Sequence, residues 1–263
     1  LIRKRSLSIT SATVVAIAAI ATSAAVAGTV AGSNGNSLSA EMKISPKKLS
    51  KTTLSPASLD IATKNTTSSP TGVPGPAVQA VMDFDKSGKY SNKGLPTCNE
   101  KQLANKDDAA AAKVCKGALI GTGDVSAVLV SLFAGASTPE TATAKLTAFN
   151  GVPKGGKPTV LLHAYATEPA LVTYIFSGVV SSYNKEGYGS RFEIEFPSIF
   201  GGSGVVTEFN LKIDKKFTYK GKERSLISAK CPSSKKLKTR VAFTYADGET
   251  ITVPSTQNCK QTS

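Results

Sequence analysis

Few residues in this chain combine the type and the spacing that chemistry requires. The stretch "DFDKSGKYSNKG", Asp83 to Gly94, offers oxygens at its first, third, fifth and ninth positions through Asp83, Asp85, Ser87 and Ser91, with Gly88 at the sixth. An EF-hand calcium loop has that order, but it needs a bidentate Glu at the twelfth position, where this chain has Gly94. Lys86, Lys89 and Lys93 outnumber the two aspartates. The segment therefore reads as a strand end followed by a Ser-Gly turn.

Glu193 and Glu195 are two residues apart on one strand face, a spacing that can serve glycoside hydrolysis. Arg191 shares that face and the chain has no Trp for a sugar platform, which favours a solvated surface. "GVPKGGKPT", Gly151 to Thr159, matches a phosphate-binding loop as far as Lys157. It then places Pro158 where Ser or Thr should hold magnesium, and a strand where a helix should follow, so a hairpin is expected. His163, in "TVLLHAYA", is the single histidine, and any His-based triad or metal site would run through it. It reads as a strand residue with a satisfied ring. "GGSG", Gly201 to Gly204, is followed by Val205 and misses the G-x-S-x-G elbow.

Four cysteines, an even number, suggest two disulfides in an exported chain. Local structure favours Cys98 with Cys115 and Cys231 with Cys259. No close C-x-x-C pair supports zinc instead. The second bridge would close a loop worth about 3–4 kcal/mol in the chain-entropy model.

Charge is the strongest compositional signal. The net charge is +14, of which Arg3, Lys4 and Arg5 supply three, leaving +11 over residues 28–263. Residues 212–240 hold eleven Lys or Arg against Asp214 and Glu223. Lys212, Lys215, Lys216, Lys220, Lys222, Arg224, Lys235, Lys236, Lys238 and Arg240 are the candidate contacts for an anionic cell-wall polymer or another extracellular polyanion. The competing reading is a solvated sheet face that keeps the protein soluble. No nucleic-acid module is recognisable, so nucleic acid is not an expected partner.

These residues must be positioned by strands. The start, "LIRKRSLSITSATVVAIAAIATSAAVAG", has the layout of a signal peptide cut after Ala27, which would leave no membrane span in the mature chain. Residues 28–40 are small and polar and suggest a flexible leader, with one β-rich domain over 41–263. Asn65-Thr66-Thr67 is a glycosylation sequon. "VQAVMDFD" alternates as a half-buried strand. Thr97 and Glu100 have capping-box spacing ahead of "DDAAAAKVCKG", which suggests a small helical insertion near 97–116, clipped by the first disulfide and packed on a sheet edge.

After Gly117, alternating runs such as "RFEIEF" and "LKTRVAFTY" are separated by turn residues, the signature of antiparallel sheets with one wet face. "LVTYIFSGVV" is apolar on both faces and should lie centrally. The last three strands, "RSLISAKC", "KLKTRVAFTY" and "ETITV", suggest a meander turning at Asp247-Gly248. The expected class is all-β, an antiparallel β-sandwich, with a barrel as the alternative because alternation does not reveal closure.

"DFDKSGKYSNKGLPTC", "LTAFNGVPKGGKPTVLLHAY", "YKGKERSLISAKC" and "FTYADGET" resemble a group of uncharacterised secreted bacterial proteins over roughly residues 78–259. The resemblance implies export, disulfides and a β-rich domain, and it implies no activity or cofactor. The resulting expectation is a secreted or cell-surface, non-catalytic interaction module with no assigned catalytic, cofactor or metal residue. A secreted hydrolase acting through Glu193, Glu195, Asp83 or Asp85 is the alternative.

Overall fold

The computed structural model describes residues 28–130 and 139–262. The expected signal peptide, 1–27, lies outside the described residues, as does the end of the strand expected over 124–133. The chain begins with β1 (Gly28–Ala31), β2 (Asn36–Ser45), β3 (Lys48–Ser50), β4 (Ser55–Thr67), β5 (Ala77–Asp85) and β6 (Gly88–Tyr90). Two short helices follow, α1 (Glu100–Leu103) and α2 (Asp108–Val114). The remainder is β7 (Leu119–Leu129), β8 (Glu140–Lys154), β9 (Lys157–Ala166), β10 (Val172–Ser182), β11 (Tyr188–Glu195), β12 (Gly204–Ile213), β13 (Lys216–Tyr219), β14 (Lys222–Ser225), β15 (Ile227–Ala229), β16 (Lys236–Tyr245), β17 (Thr250–Asn258) and β18 (Lys260–Thr262).

The main wall runs β1-β2-β4-β12-β7-β8-β9-β10-β11-β5-β16-β17 as one continuous sheet. Every neighbouring pair along it is antiparallel. Its two ends come back together. The Gln257 side chain on β17 imitates a strand partner for β2, donating to the Ile44 carbonyl at 2.8 Å and accepting from the Ile44 N–H at 2.7 Å. Gly28 lies so close to β17 that a Cβ there would stand 2.8 Å from Val253 Cγ1. The strands thus make a nearly closed barrel in place of the two stacked sheets of the expected sandwich. Both architectures bury alternate residues, so the pattern that identified the strands could not separate them.

The flexible leader expected over 28–40 is instead β1 and the first half of β2. Leu38, Ala40, Met42 and Ile44 continue one two-residue period into the core, with Leu38 fully buried, and the small polar residues at its start, Asn36, Ser37 and Ser39, mask it. Inside the barrel this row meets Met82 of β5, Phe192 of β11, Phe209 of β12 and Phe243 of β16. Each such side chain contributes about 1.5–3 kcal/mol by leaving water.

The middle of β8, 146–151, and most of β9 are buried on both faces. Leu146, Ala148, Val160 and Leu162 belong to the interior, while Phe149 and Leu161 belong to a second cluster with Cys98, Leu103, Ala111 and Cys115. The helical segment is therefore a cover over the outer wall and not an edge element. Its capping box falls on Asn99 and Gln102, each side chain bonding the other's backbone N–H at 3.0 Å, and not on Thr97 and Glu100. Asp107 caps α2 through the Ala110 N–H at 2.7 Å. The stretches covered on both faces are thus 146–151 of β8 and 159–164 of β9; β10, expected from its apolar run to lie centrally, is flanked by β9 and β11 in the sheet but only half-buried, with Ile175 packed against the second cluster.

Both expected disulfides form, with Cα separations of 5.7 Å for Cys98–Cys115 and 5.8 Å for Cys231–Cys259. The expected three-strand meander forms only in its second half. β16 pairs with β17 across the Asp247-Gly248 turn, whereas β15 pairs with β4 and β6. Cys231 reaches Cys259 because its N–H bonds the Ser50 carbonyl beside β3, and β18 runs parallel to β3 directly after Cys259.

Candidate functional site

The outer face of β11, β5 and β16 gathers a group of mutually bonded charged side chains. Asp83 on β5 is registered opposite Arg191 of β11 on one side and Arg240 of β16 on the other. Opposed residues in antiparallel strands project to the same face, so both guanidinium groups converge on one carboxylate. Arg191 Nε donates to Asp83 Oδ1 at 2.7 Å and its Nη2 to Oδ2 at 3.0 Å. Arg240 Nε donates to Oδ2 at 2.7 Å. Asp83 is only 1% exposed.

The Tyr183 ring lies 3.7 Å from the Arg191 guanidinium carbon, and the Tyr188 ring 4.7 Å from that of Arg240, both within cation–π range. Arg240 also donates to Glu186 at 2.6 Å and to the Tyr183 hydroxyl at 3.2 Å. Burial pushes the Tyr188 phenol above its usual range. Two cations, two anions and two aromatic rings bond or stack on one another, which suits rigidity.

Asp85 is equally committed. Its Oδ1 accepts the Ser87 N–H at 2.8 Å and its Oδ2 the Lys238 N–H at 3.0 Å. The alternation that placed "VQAVMDFD" on a strand is confirmed, but the carboxylates at its end fix the turn and the neighbouring strand. Both carboxylates are thus engaged by donors of the wall itself. Among the described residues, no three His, Cys, Asp or Glu side chains are grouped to hold a metal ion.

His163 on β9 is fully buried beneath the helices. Its Nε2 lies 2.9 Å from the Lys106 carbonyl, so that nitrogen carries the proton, while Nδ1 faces Asp108 Oδ1 at 3.7 Å without bonding it. The ring is thus half satisfied, and desolvation raises the Asp108 pKa beside it. Glu193 is half-buried and Glu195 exposed on the open outer wall of β11. The phosphate-loop lookalike is the expected hairpin between β8 and β9, with positive φ at Gly155 and Gly156. Asn65 of the sequon is 2% exposed, accepts from the Tyr245 hydroxyl at 2.9 Å and donates to the Gly75 carbonyl, so a glycan has no room there.

The basic segment of 212–240, continuous in sequence, is divided in space. Lys212 lies on the outer wall of β12, 3.8 Å from Asp214. Lys235, Lys236 and Lys238 are exposed at and before β16, where Arg240 belongs to the Asp83 cluster. Lys216, Lys220, Lys222 and Arg224 are exposed on a separate two-stranded ribbon, β13–β14, preceded by half-buried Lys215. The ribbon turns at Lys220 and Gly221, both at positive φ, as a two-residue hairpin requires. Phe217 is registered opposite Arg224 and Tyr219 opposite Lys222, which puts aromatic rings and cations on the same face.

Tyr219 anchors the ribbon. Its ring lies where any Cβ on Gly94 would stand, 2.0 Å from Cδ2, and Gly94 has φ +90°. The residue that disqualified the loop as a calcium site is therefore required as the seat for the hairpin, and it brings exposed Lys93 next to it. Lys216 has only Glu223, at 4.0 Å, and among the described residues Lys220, Lys222 and Arg224 have no acidic partner.

Sequence reasoning missed the Arg191–Tyr183–Tyr188–Glu186 surroundings of Asp83. Alternation showed that Asp83, Arg191 and Arg240 face outward, and the missing step was the order of three strands far apart in the chain. Comparison with protein-family models, curated proteins and solved structures finds no match, so the functional argument rests on this geometry.

Proposed function

We propose that the protein is an exported, non-catalytic interaction module that holds anionic polymers at the cell surface or outside the cell through the β13–β14 ribbon. One observation carries this reading. The ribbon gathers Lys220, Lys222 and Arg224 on one short hairpin beside Tyr219, exposed and, among the described residues, without acidic partners, whereas Lys43 and Lys64 on the wall are paired with Glu41 at 2.9 Å and Glu208 at 2.7 Å. Unpaired cations on a projecting element attract a polyanion without first breaking an internal pair. Two disulfides suit an oxidising compartment.

Immobilised polyphosphate and poly-glutamate provide the test. The protein is expected to be retained on both at low salt and released as ionic strength rises, because exposed charges are screened beyond about 8 Å at physiological salt. Passage through both columns at low salt would refute the proposal.

A further inference from the structure

Four segments far apart in the chain, 45–55, 86–90, 227–238 and 256–262, meet around the Cys231–Cys259 disulfide, and they contain no Asp or Glu. Backbone bonds fix the meeting. β15 pairs with β6 and leads into Cys231, whose N–H donates to the Ser50 carbonyl at 2.9 Å. The Cys259 N–H donates to the Lys235 carbonyl at 2.9 Å and the Lys260 N–H to that of Lys47 at 2.8 Å, and β18 then runs beside β3.

The lysines of these segments are thereby brought together. Lys48, Lys51, Lys89, Lys235, Lys236 and Lys260 are exposed, and none has an acidic partner among the described residues. Only Lys235 and Lys236 fall within the basic segment of 212–240, and the fold adds the other four. Lys48 is registered opposite Lys260, on strands about 4.8 Å apart. Like charges directly opposite destabilise a strand pair, a cost that a shared anion removes. Asp85, whose carboxylate accepts the Lys238 N–H beside this surface, is buried and bonded, so it does not neutralise the lysines.

We propose that the lysines around the Cys231–Cys259 disulfide form a second anion-binding surface, whose ligand is a linear chain of phosphate groups. A phosphate group carries several acceptor oxygens, enough to meet the Lys48 and Lys260 ammonium groups at once. Lysine suits such a ligand as a compact point charge, and the absence of arginine from this set means that no planar fork selects a carboxylate. The proposal extends the polyanion reading to a second surface and names phosphate as its chemistry, but binding here does not rest on the ribbon.

Tripolyphosphate is titrated at low salt into the intact, disulfide-bonded, 15N-labelled protein, with tetraglutamate as a carboxylate probe. Tripolyphosphate is expected to shift the backbone amides of Lys48, Lys235 and Lys260. Joint replacement of these three lysines by Gln should weaken it by about tenfold or more, the value of one charge-assisted hydrogen bond. All three positions are exposed, so this variant should fold as the wild type does. The ribbon variant Lys220→Gln, Lys222→Gln, Arg224→Gln should bind tripolyphosphate at the same amides within about twofold of wild type, as for independent sites. Tetraglutamate should bind there more weakly than tripolyphosphate. Unmoved amides at Lys48 and Lys260, unchanged affinity in the Lys48, Lys235 and Lys260 variant, or tetraglutamate binding as tightly as tripolyphosphate would overturn the proposal. Each of these results, found in a protein still retained on polyphosphate by its ribbon, leaves the ribbon reading standing, so the two proposals fail separately.

Discussion

Arg224 and Arg240 are sixteen residues apart in the chain and carry the same group, yet they occupy opposite electrostatic situations. Arg240 sits among Asp83, Glu186, Tyr183 and Tyr188, with most of its donors bonded. Arg224 is exposed on the ribbon with no acidic partner among the described residues. A run of basic residues in sequence therefore merges two kinds of cation. One kind holds three strands in register, and the other is free to meet a partner.

The largest effect expected from this contrast is on stability. Asp83→Ala would leave two partly buried guanidinium groups facing each other without their carboxylate, at a cost of about 3 kcal/mol. For a domain of this size that lowers the Tm by roughly 6–12 °C, readable by calorimetry. A change under about 1 kcal/mol would show that the cluster is as dispensable as the ribbon.

A pH experiment probes an intermediate case. Glu249, after the β16–β17 turn, bonds the Ser33 hydroxyl at 2.7 Å and the Ser33 backbone N–H, and its pKa is lowered chiefly by the hydroxyl bond. A depressed carboxylate contributes stability above its unfolded pKa, near 4.3, and that contribution is lost as pH falls through the folded value. The protection of the Ser33 amide, measured against its intrinsic exchange rate at each pH, should therefore fall on acidification in the wild type. In Glu249→Gln that protection should be low already at neutral pH and change less with acid.

The smallest effect on stability belongs to the ribbon. Joint replacement of Lys220, Lys222 and Arg224 by Gln should leave unfolding within about 0.5 kcal/mol of wild type, as for surface positions without buried partners. A larger loss would mean that these cations are structural after all.

Much of the fold was legible because a strand announces itself locally. Phe192, Ile194 and Leu237, Val241, Phe243 each alternate, and the structure buries all five. Both cysteine pairings could be read from spacing within short segments. What stayed hidden was set over long distances: the closure through Gln257 and Ile44, the position of β15 between β4 and β6, and the meeting of Asp83, Arg191 and Arg240. The leader was misread because its alternation used Leu38 and Ala40 among serines, too faint a signal without the β4 partner strand. At the candidate site, the basic segment was visible as charge, but its division into committed and free cations depended on pairings that no local window contains.

The most direct test of the ribbon's role compares two triple variants that lose the same charge. One is Lys220→Gln, Lys222→Gln, Arg224→Gln; the other is Lys43→Gln, Lys64→Gln, Lys154→Gln, whose cations are ion-paired on the wall. Polyphosphate affinity is measured against salt concentration for both and for wild type. The ribbon variant should lose about tenfold or more in affinity, and its log–log salt slope should fall by roughly two to three. The paired variant should stay within about twofold. Equal losses in the two variants would assign binding to net charge and contradict the account.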